Sequence, residues 1–311
     1  MKRVRTKRLV IAGLIGCGML AVCAVGYGYV KSFRMDTPVY ASVVSYRDQE
    51  GALGKTFCFE YEGADFYGAV LNSGTDPDPF FDIRVLEKRL FWWTPAHFET
   101  ALFPVQPAAV PDGYAVVGCY TGWNADEAVS VTLRDEEGQP LQPRKQEQFA
   151  VNGTSYLGYA IEVERDFSGV LRFQYADVDG RPLPEFSPMS VYHAAVYQTE
   201  NGEPIGRIGD EPVKKHLLEE AAALFASREP ADAFPSPSQA LVFDFPATCI
   251  KPGPSYAPGD VCTRLTVCRL DENRYGLRVE PPGGEAACYM GRCERDDTLR
   301  AYLEGQGAPS V

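Results

Sequence analysis

The chain has 311 residues, of which 45% are hydrophobic and 12% aromatic, enough for one large domain or two ordinary ones with a sizeable core. Disorder as the main state is excluded, because 17 Phe, 17 Tyr and 3 Trp would have nowhere to go. The first 34 residues hold seven bases and no acid, so the remaining 277 carry 23 bases against 42 acids, a net charge of −19. Such a surface repels phosphate backbones, which excludes nucleic acid as a partner.

In chain order, residues 1–8 form a basic leader and Leu9–Val30 is a run of 22 residues without a charge. At about 1.5 Å per residue it would span about 33 Å, close to the thickness of a bilayer core. Its flanks place the bases inside and Tyr27, Tyr29, Lys31 and Arg34 at the far interface. The expectation is a transmembrane signal anchor over residues 9–30, with the bilayer as partner and the rest of the chain outside the cytoplasm. Two other readings compete: cleavage near Ala24, releasing a secreted protein, and lipidation at Cys17 within Leu14-Ile15-Gly16-Cys17.

From Pro38 to about residue 200 the signal is strand. Candidates are Phe66–Leu71, Phe80–Leu86, Tyr114–Thr121, Ala128–Arg134, Tyr156–Glu164, Val170–Ala176 and Val191–Gln198, separated by turn residues. The fold class expected is mainly β: an antiparallel β-sandwich, Ig-like or barrel-like, over residues 38–200. Two segments, Val131–Leu141 and Phe173–Leu183, share D-x-x-G-x-P-L at an offset of 42. This predicts two hairpins in which Asp135 or Asp177 bonds back to the turn and Gly138 or Gly180 takes the left-handed conformation. The pattern resembles the hairpin of bacterial immunoglobulin-like surface modules, and the resemblance implies a scaffold only. Within the less regular stretch 86–111, Phe91, Trp92 and Trp93 are either core anchors or an exposed recognition patch. Adjacent strand residues point to opposite faces, so both Trp rings cannot share one core.

The clearest soluble helix runs from Val213 to Ser227, with Leu217, Leu218, Ala221, Leu224 and Phe225 on one face. It reads as a connecting helix (213–229), followed by a Pro/Ser/Ala linker (230–240) and a small disulfide-stabilised α+β domain (241–303). That last domain is expected to hold a hairpin of Val261–Leu270 with Tyr275–Glu280 and a short helix near 295–303. Outside the apolar run lie seven cysteines, Cys58, Cys119, Cys249, Cys262, Cys268, Cys288 and Cys293, five of them within 45 residues. Outside the cytoplasm they predict disulfides. Their C-terminal spacings of 12, 5, 19 and 4 intervening residues contain no C-x-x-C, which argues against zinc. Cys262 and Cys268 on one strand would lie about 20 Å apart, too far for a bond to each other.

Chemistry is sparse. His97, His193 and His216 belong to no catalytic or metal motif, and there is no nucleophile elbow, dinucleotide loop or phosphate loop. Asp76, Asp78 and Asp82, or Asp177 and Asp179, could offer oxygens to calcium, but neither group matches an EF-hand; no cofactor is expected. The function expected is therefore a membrane-anchored, extracytoplasmic, non-catalytic binding or structural module whose partner is an envelope protein or polymer. The alternative is a secreted or anchored hydrolase that cleaves a cell-wall or carbohydrate substrate through paired carboxylates.

Overall fold

The computed structural model describes residues 17–26, 52–61, 64–72, 81–89, 92–95, 105–110, 113–151, 153–164, 169–235, 237–251 and 255–305. The chain divides into two units, Met1–Ala101 and Leu102–Val311.

In the first unit, helix α1 covers 17–26 and is exposed along its length. Among the described residues no helix is long and apolar enough to cross a membrane. The five glycines of the apolar run each cost about 1 kcal/mol of helix propensity. The rest of the run, 9–16 and 27–30, lies outside the described residues. The structure thus corrects the single-pass anchor, the bilayer as partner through residues 9–30, and the localisation that depended on both. Four strands follow, β1 (Ala52–Tyr61), β2 (Ala64–Asn72), β3 (Phe81–Arg89) and β4 (Trp92–Pro95), as an antiparallel meander in that order.

The second unit opens with β5 (Val105–Val110) and β6 (Gly113–Tyr120), then β7 (Ser130–Arg134), β8 (Pro140–Leu141), β9 (Pro143–Val151), β10 (Thr154–Glu164) and β11 (Leu171–Ala176). Helix α2 (Pro188–Tyr192), strands β12 (Ala195–Glu200) and β13 (Glu203–Ile208), and helix α3 (Glu211–Ala226) come next. The chain closes with β14 (Glu229–Pro230), β15 (Gln239–Lys251), β16 (Ser255–Arg269), β17 (Arg274–Glu280), β18 (Ala287–Arg292) and helix α4 (Asp297–Leu303).

Two sheets result. One has the order β5-β6-β10-β9; the other is a ten-stranded, curled and open half-barrel, β14-β18-β17-β16-β15-β11-β7-β8, with β12 on β15 and β13 on β12. The fold is mixed α/β, which corrects the mainly β class. It also corrects the sandwich followed by a small cysteine-rich domain, since β7, β11, β12 and β13 share one sheet with β15–β18. The reason is the length of β15. Thirteen residues let it pair with β16 on one edge, while the other edge takes β12 along 239–244 and β11 at Cys249 and Ile250.

Local chemistry explains the elements. Asp210 caps α3 by accepting the Val213 N–H at 3.0 Å, and Pro212 sits in the first turn. Val213, Leu217, Leu218, Ala221, Leu224 and Phe225 form its buried face and meet Phe243, Phe245, Leu265, Tyr275 and Leu277 of the sheet. Each large side chain so buried contributes about 1.5–3 kcal/mol. Both D-x-x-G-x-P-L segments form the expected turns, with Gly138 and Gly180 at φ +81° and +76°. Asp135 Oδ1 accepts the Gln139 N–H at 2.7 Å, and Asp177 Oδ1 accepts the Arg181 N–H at 2.8 Å. The strand expected from Val191 is shortened at its start, because Ser187-Pro188 begins a helix instead: the Ser187 hydroxyl accepts the Ser190 N–H at 3.2 Å.

None of the described cysteines is in a disulfide: Cys119, Cys249, Cys262, Cys268, Cys288 and Cys293 are all free, as are Cys17 and Cys23. The side chain of Cys58 lies outside the described residues. This corrects the disulfide framework. The C-terminal strands do not need it, because their apolar faces are covered by α3 and α4.

Gly291 permits the closest approach of helix to sheet, since a Cβ there would lie 2.6 Å from the Leu224 carbonyl oxygen. Gly291→Ala should destabilise the fold by about 1–3 kcal/mol in denaturant titration, whereas Gly206→Ala, in open space, should stay within about 0.5 kcal/mol. Denatured without reductant, the six cysteines from Cys119 to Cys293 should all alkylate; a protected pair in the mass spectrum would contradict this.

Candidate functional site

The site lies where β15 changes partners. Its register with β16 shifts between Pro246 and Thr248. Pro246 has no N–H to offer, so this part of the edge cannot continue a ladder. The Thr248 N–H is left without a strand partner, and a buried backbone donor must find one elsewhere.

Glu185 supplies it. The Thr248 N–H donates to the carboxylate, at 3.0 Å from Oε1 and 3.1 Å from Oε2. The Ser187 hydroxyl donates to Oε1 at 2.8 Å and lies 2.8 Å from the Thr248 hydroxyl. The Glu185 N–H donates to Thr263 Oγ1 at 3.0 Å, and the Ser190 hydroxyl donates to the Pro246 carbonyl at 2.8 Å. Thus segment 185–190 substitutes side-chain hydrogen bonds for missing strand pairing on both sides of the bulge. Glu185 is only 6% exposed. Burial pushes its carboxyl above the usual range, and the hydrogen bonds from Thr248 and Ser187 oppose that shift only in part.

Beside Glu185 is a cleft of about 260 Å³. Leu183, Ala247, Val261 and Pro281 give it apolar walls, and Arg134, Arg172 and Gln174 a polar side. Arg134 and Arg172 stand directly opposite each other on β7 and β11. Like charges in that relation destabilise a sheet. Arg134 is held in place by donating to the Gln174 side-chain oxygen and, at 2.8 Å, to the Gly138 carbonyl. Among the described residues neither guanidinium is paired with a carboxylate. Glu185 is also the only carboxylate lining the cleft.

Behind the cleft, Tyr120, Tyr159 and Tyr175 are fully buried between the two sheets, with Tyr120 stacked on Tyr175 at 3.9 Å. The Tyr120 hydroxyl donates to Asn124 at 2.6 Å and accepts the Phe186 N–H at 3.2 Å. Burial raises all three phenols well above their ordinary value, so they act here as neutral packing and hydrogen-bonding groups.

The residues singled out from sequence fall elsewhere. Trp92 and Trp93 lie on β4, opposite Arg89 and Lys88 of β3, but their side chains, and Phe91 altogether, lie outside the described residues, as do His97, Asp76 and Asp78. His193 caps the end of α2, and His216 is an exposed α3 residue 3.4 Å from Glu219. Asp177 and Asp179 are turn residues, and among the described residues no group of three metal-ligating side chains converges. Burial pushes the Cys249 and Cys268 thiols up to about 11 and raises those of Cys119, Cys262 and Cys293, so they are not poised as nucleophiles at neutral pH. Sequence reasoning missed Glu185, Arg134, Arg172 and Trp123. The available signal was Glu185-Phe-Ser-Pro188, a carboxylate beside a helix start, and it had no visible partner until Thr248 was placed against it.

No family model, curated protein or solved structure matches the chain.

The raised Glu185 carboxyl has a pH consequence. A folded-state value above the unfolded one adds stability that is fully present below about the ordinary 4.5, and it is lost as pH rises through the folded value. Glu185→Gln mimics the protonated carboxyl. Relative to wild type it should therefore gain melting temperature from pH 4 toward neutrality; a difference that stays constant over that range would show that Glu185 does not titrate this way.

Proposed function

We propose that residues 102–311 bind a small organic anion in the cleft between Arg134, Arg172 and Glu185. The observation that carries this is the pair of cross-strand guanidiniums with no carboxylate partner among the described residues, set beside a cleft. An oxyanion bridging them would remove their mutual repulsion and make charge-assisted hydrogen bonds to both. The apolar walls suit a short carbon skeleton. At the other end Glu185 selects a hydrogen-bond donor, a hydroxyl or an ammonium group, because among the described residues its carboxyl is the only acidic group lining the cleft.

Two observations favour binding over turnover at this place. The Ser187 and Ser190 hydroxyls are spent on the Glu185 carboxylate and the Pro246 carbonyl, and among the described residues neither is hydrogen-bonded to a histidine. A paired-carboxylate hydrolase requires neither anchor nor disulfide, so it stands nearer to the described fold than the envelope module does. It needs a second carboxylate, however, and among the described residues lining the cleft Glu185 has no such companion. The envelope module depended on the anchor and the disulfides, which the described residues do not contain.

Calorimetry of the full chain against short hydroxy- and amino-carboxylates and the corresponding phosphate esters tests the reading and separates the two oxyanions. Binding should be saturable and weaken with salt, and Arg172→Gln should weaken it about tenfold or more, the loss of one charge-assisted contact of about 1.5–3 kcal/mol. No binding by any member of either series, or equal affinity in Arg172→Gln, would overturn it.

A further inference from the structure

A second concavity, separate from the Glu185 cleft, lies between α2 and α3. It measures about 800 Å³, within the range of sites for small organic molecules. Its floor is apolar: Trp123, Val191, Leu218 and Ala222. Trp123 is held rigidly. Its ring stacks on Phe186 at 4.9 Å with 16° between the planes, and meets the Phe245 ring edge-on at 5.2 Å. Tyr192 forms the rim and is 70% exposed, although it is a large aromatic side chain. Leu218 belongs to the buried stripe of α3 and closes the bottom of the groove, and Ala222 one turn further on is half-buried and lines its side.

The rim charges decide what chemistry fits. Lys214 Nζ lies 3.7 Å from the Glu211 carboxylate and donates to the Tyr192 carbonyl at 3.4 Å. Lys215 lies 3.7 Å and His216 3.4 Å from the Glu219 carboxylate. Two lysines thus face two glutamates, and an ionic ligand would meet no uncompensated charge. Burying its own charge against the apolar floor would carry a desolvation cost with no partner to offset it. The Glu185 cleft is the opposite case, with two guanidiniums that have no carboxylate partner among the described residues.

We infer that this groove binds an uncharged, flat, predominantly aromatic small molecule, seated on Trp123 and Leu218 and covered at one side by Tyr192. Ring-on-ring contact with Trp123 and Tyr192 gives it orientation, and the internally paired rim excludes charged analogues. The inference is independent of the anion site and stands whether or not that site binds.

The test uses a matched pair of fluorescent probes, neutral phenylnaphthylamine and the anionic anilinonaphthalene sulfonate, titrated into the full chain. The neutral probe should bind saturably. Ala222→Trp fills the groove from a half-exposed position, and Tyr192→Ala removes a wall without touching the core; each should weaken the neutral probe, the first by about tenfold or more. Arg172→Gln should leave it unchanged. The sulfonate should bind the groove at least about tenfold more weakly than the neutral probe, read as the part of its signal lost in Ala222→Trp. Absence of saturable binding, insensitivity to both groove variants, or equal affinity of the two probes at this groove would each overturn the inference.

Discussion

The bond between the Glu185 carboxylate and the Thr248 N–H is the constraint on which the larger unit turns. A thirteen-residue strand shared by three neighbours must somewhere leave an edge unpaired, and here that place is Pro246–Thr248. A buried unpaired N–H costs about as much as several ordinary contacts return. Glu185, Ser187 and Ser190 close the gap with side-chain acceptors and donors. Sealing the gap fixes segment 183–192, which sets one wall of the anion cleft and, through α2, one wall of the aromatic groove.

Electrostatics divides the two concavities. In the cleft the sheet register forces Arg134 against Arg172, and register is set by the buried faces of β7 and β11, not by the arginines. The repulsion is therefore carried by the hydrophobic pattern and is available to an incoming anion. On α3 the spacing of Glu211, Lys214, Lys215 and Glu219 lets helical neighbours neutralise each other before any ligand arrives. The same unit thus presents one site tuned to charge and one tuned against it.

Burial also accounts for what the titratable groups do not do. The buried thiols and phenols of the larger unit lie among apolar neighbours, and desolvation holds them in their neutral forms. Their role is packing, as in the stacked Tyr120–Tyr175 pair and the buried Cys249 of β15 and Cys268 of β16. The cysteine cluster near the C-terminus reflects a preference for small buried side chains, not cross-linking.

By itself the sequence determined the local elements whose cause is local. These are the capped amphipathic helix from Glu211, the two Asp–Gly turns at Gly138 and Gly180, and the alternating strands β7, β10 and β11. Each rests on residues within one or two turns of one another. It misdirected wherever a local pattern admitted two contexts: the apolar run before residue 30 read as a membrane span, and the clustered cysteines read as bridges. Only the tertiary structure decided that β15 joins both halves of the unit in one sheet, that Glu185 meets Thr248 across 63 residues, and that Arg134 faces Arg172. Pairing of distant strands is set by the total fit of buried faces, and no residue carries that information alone.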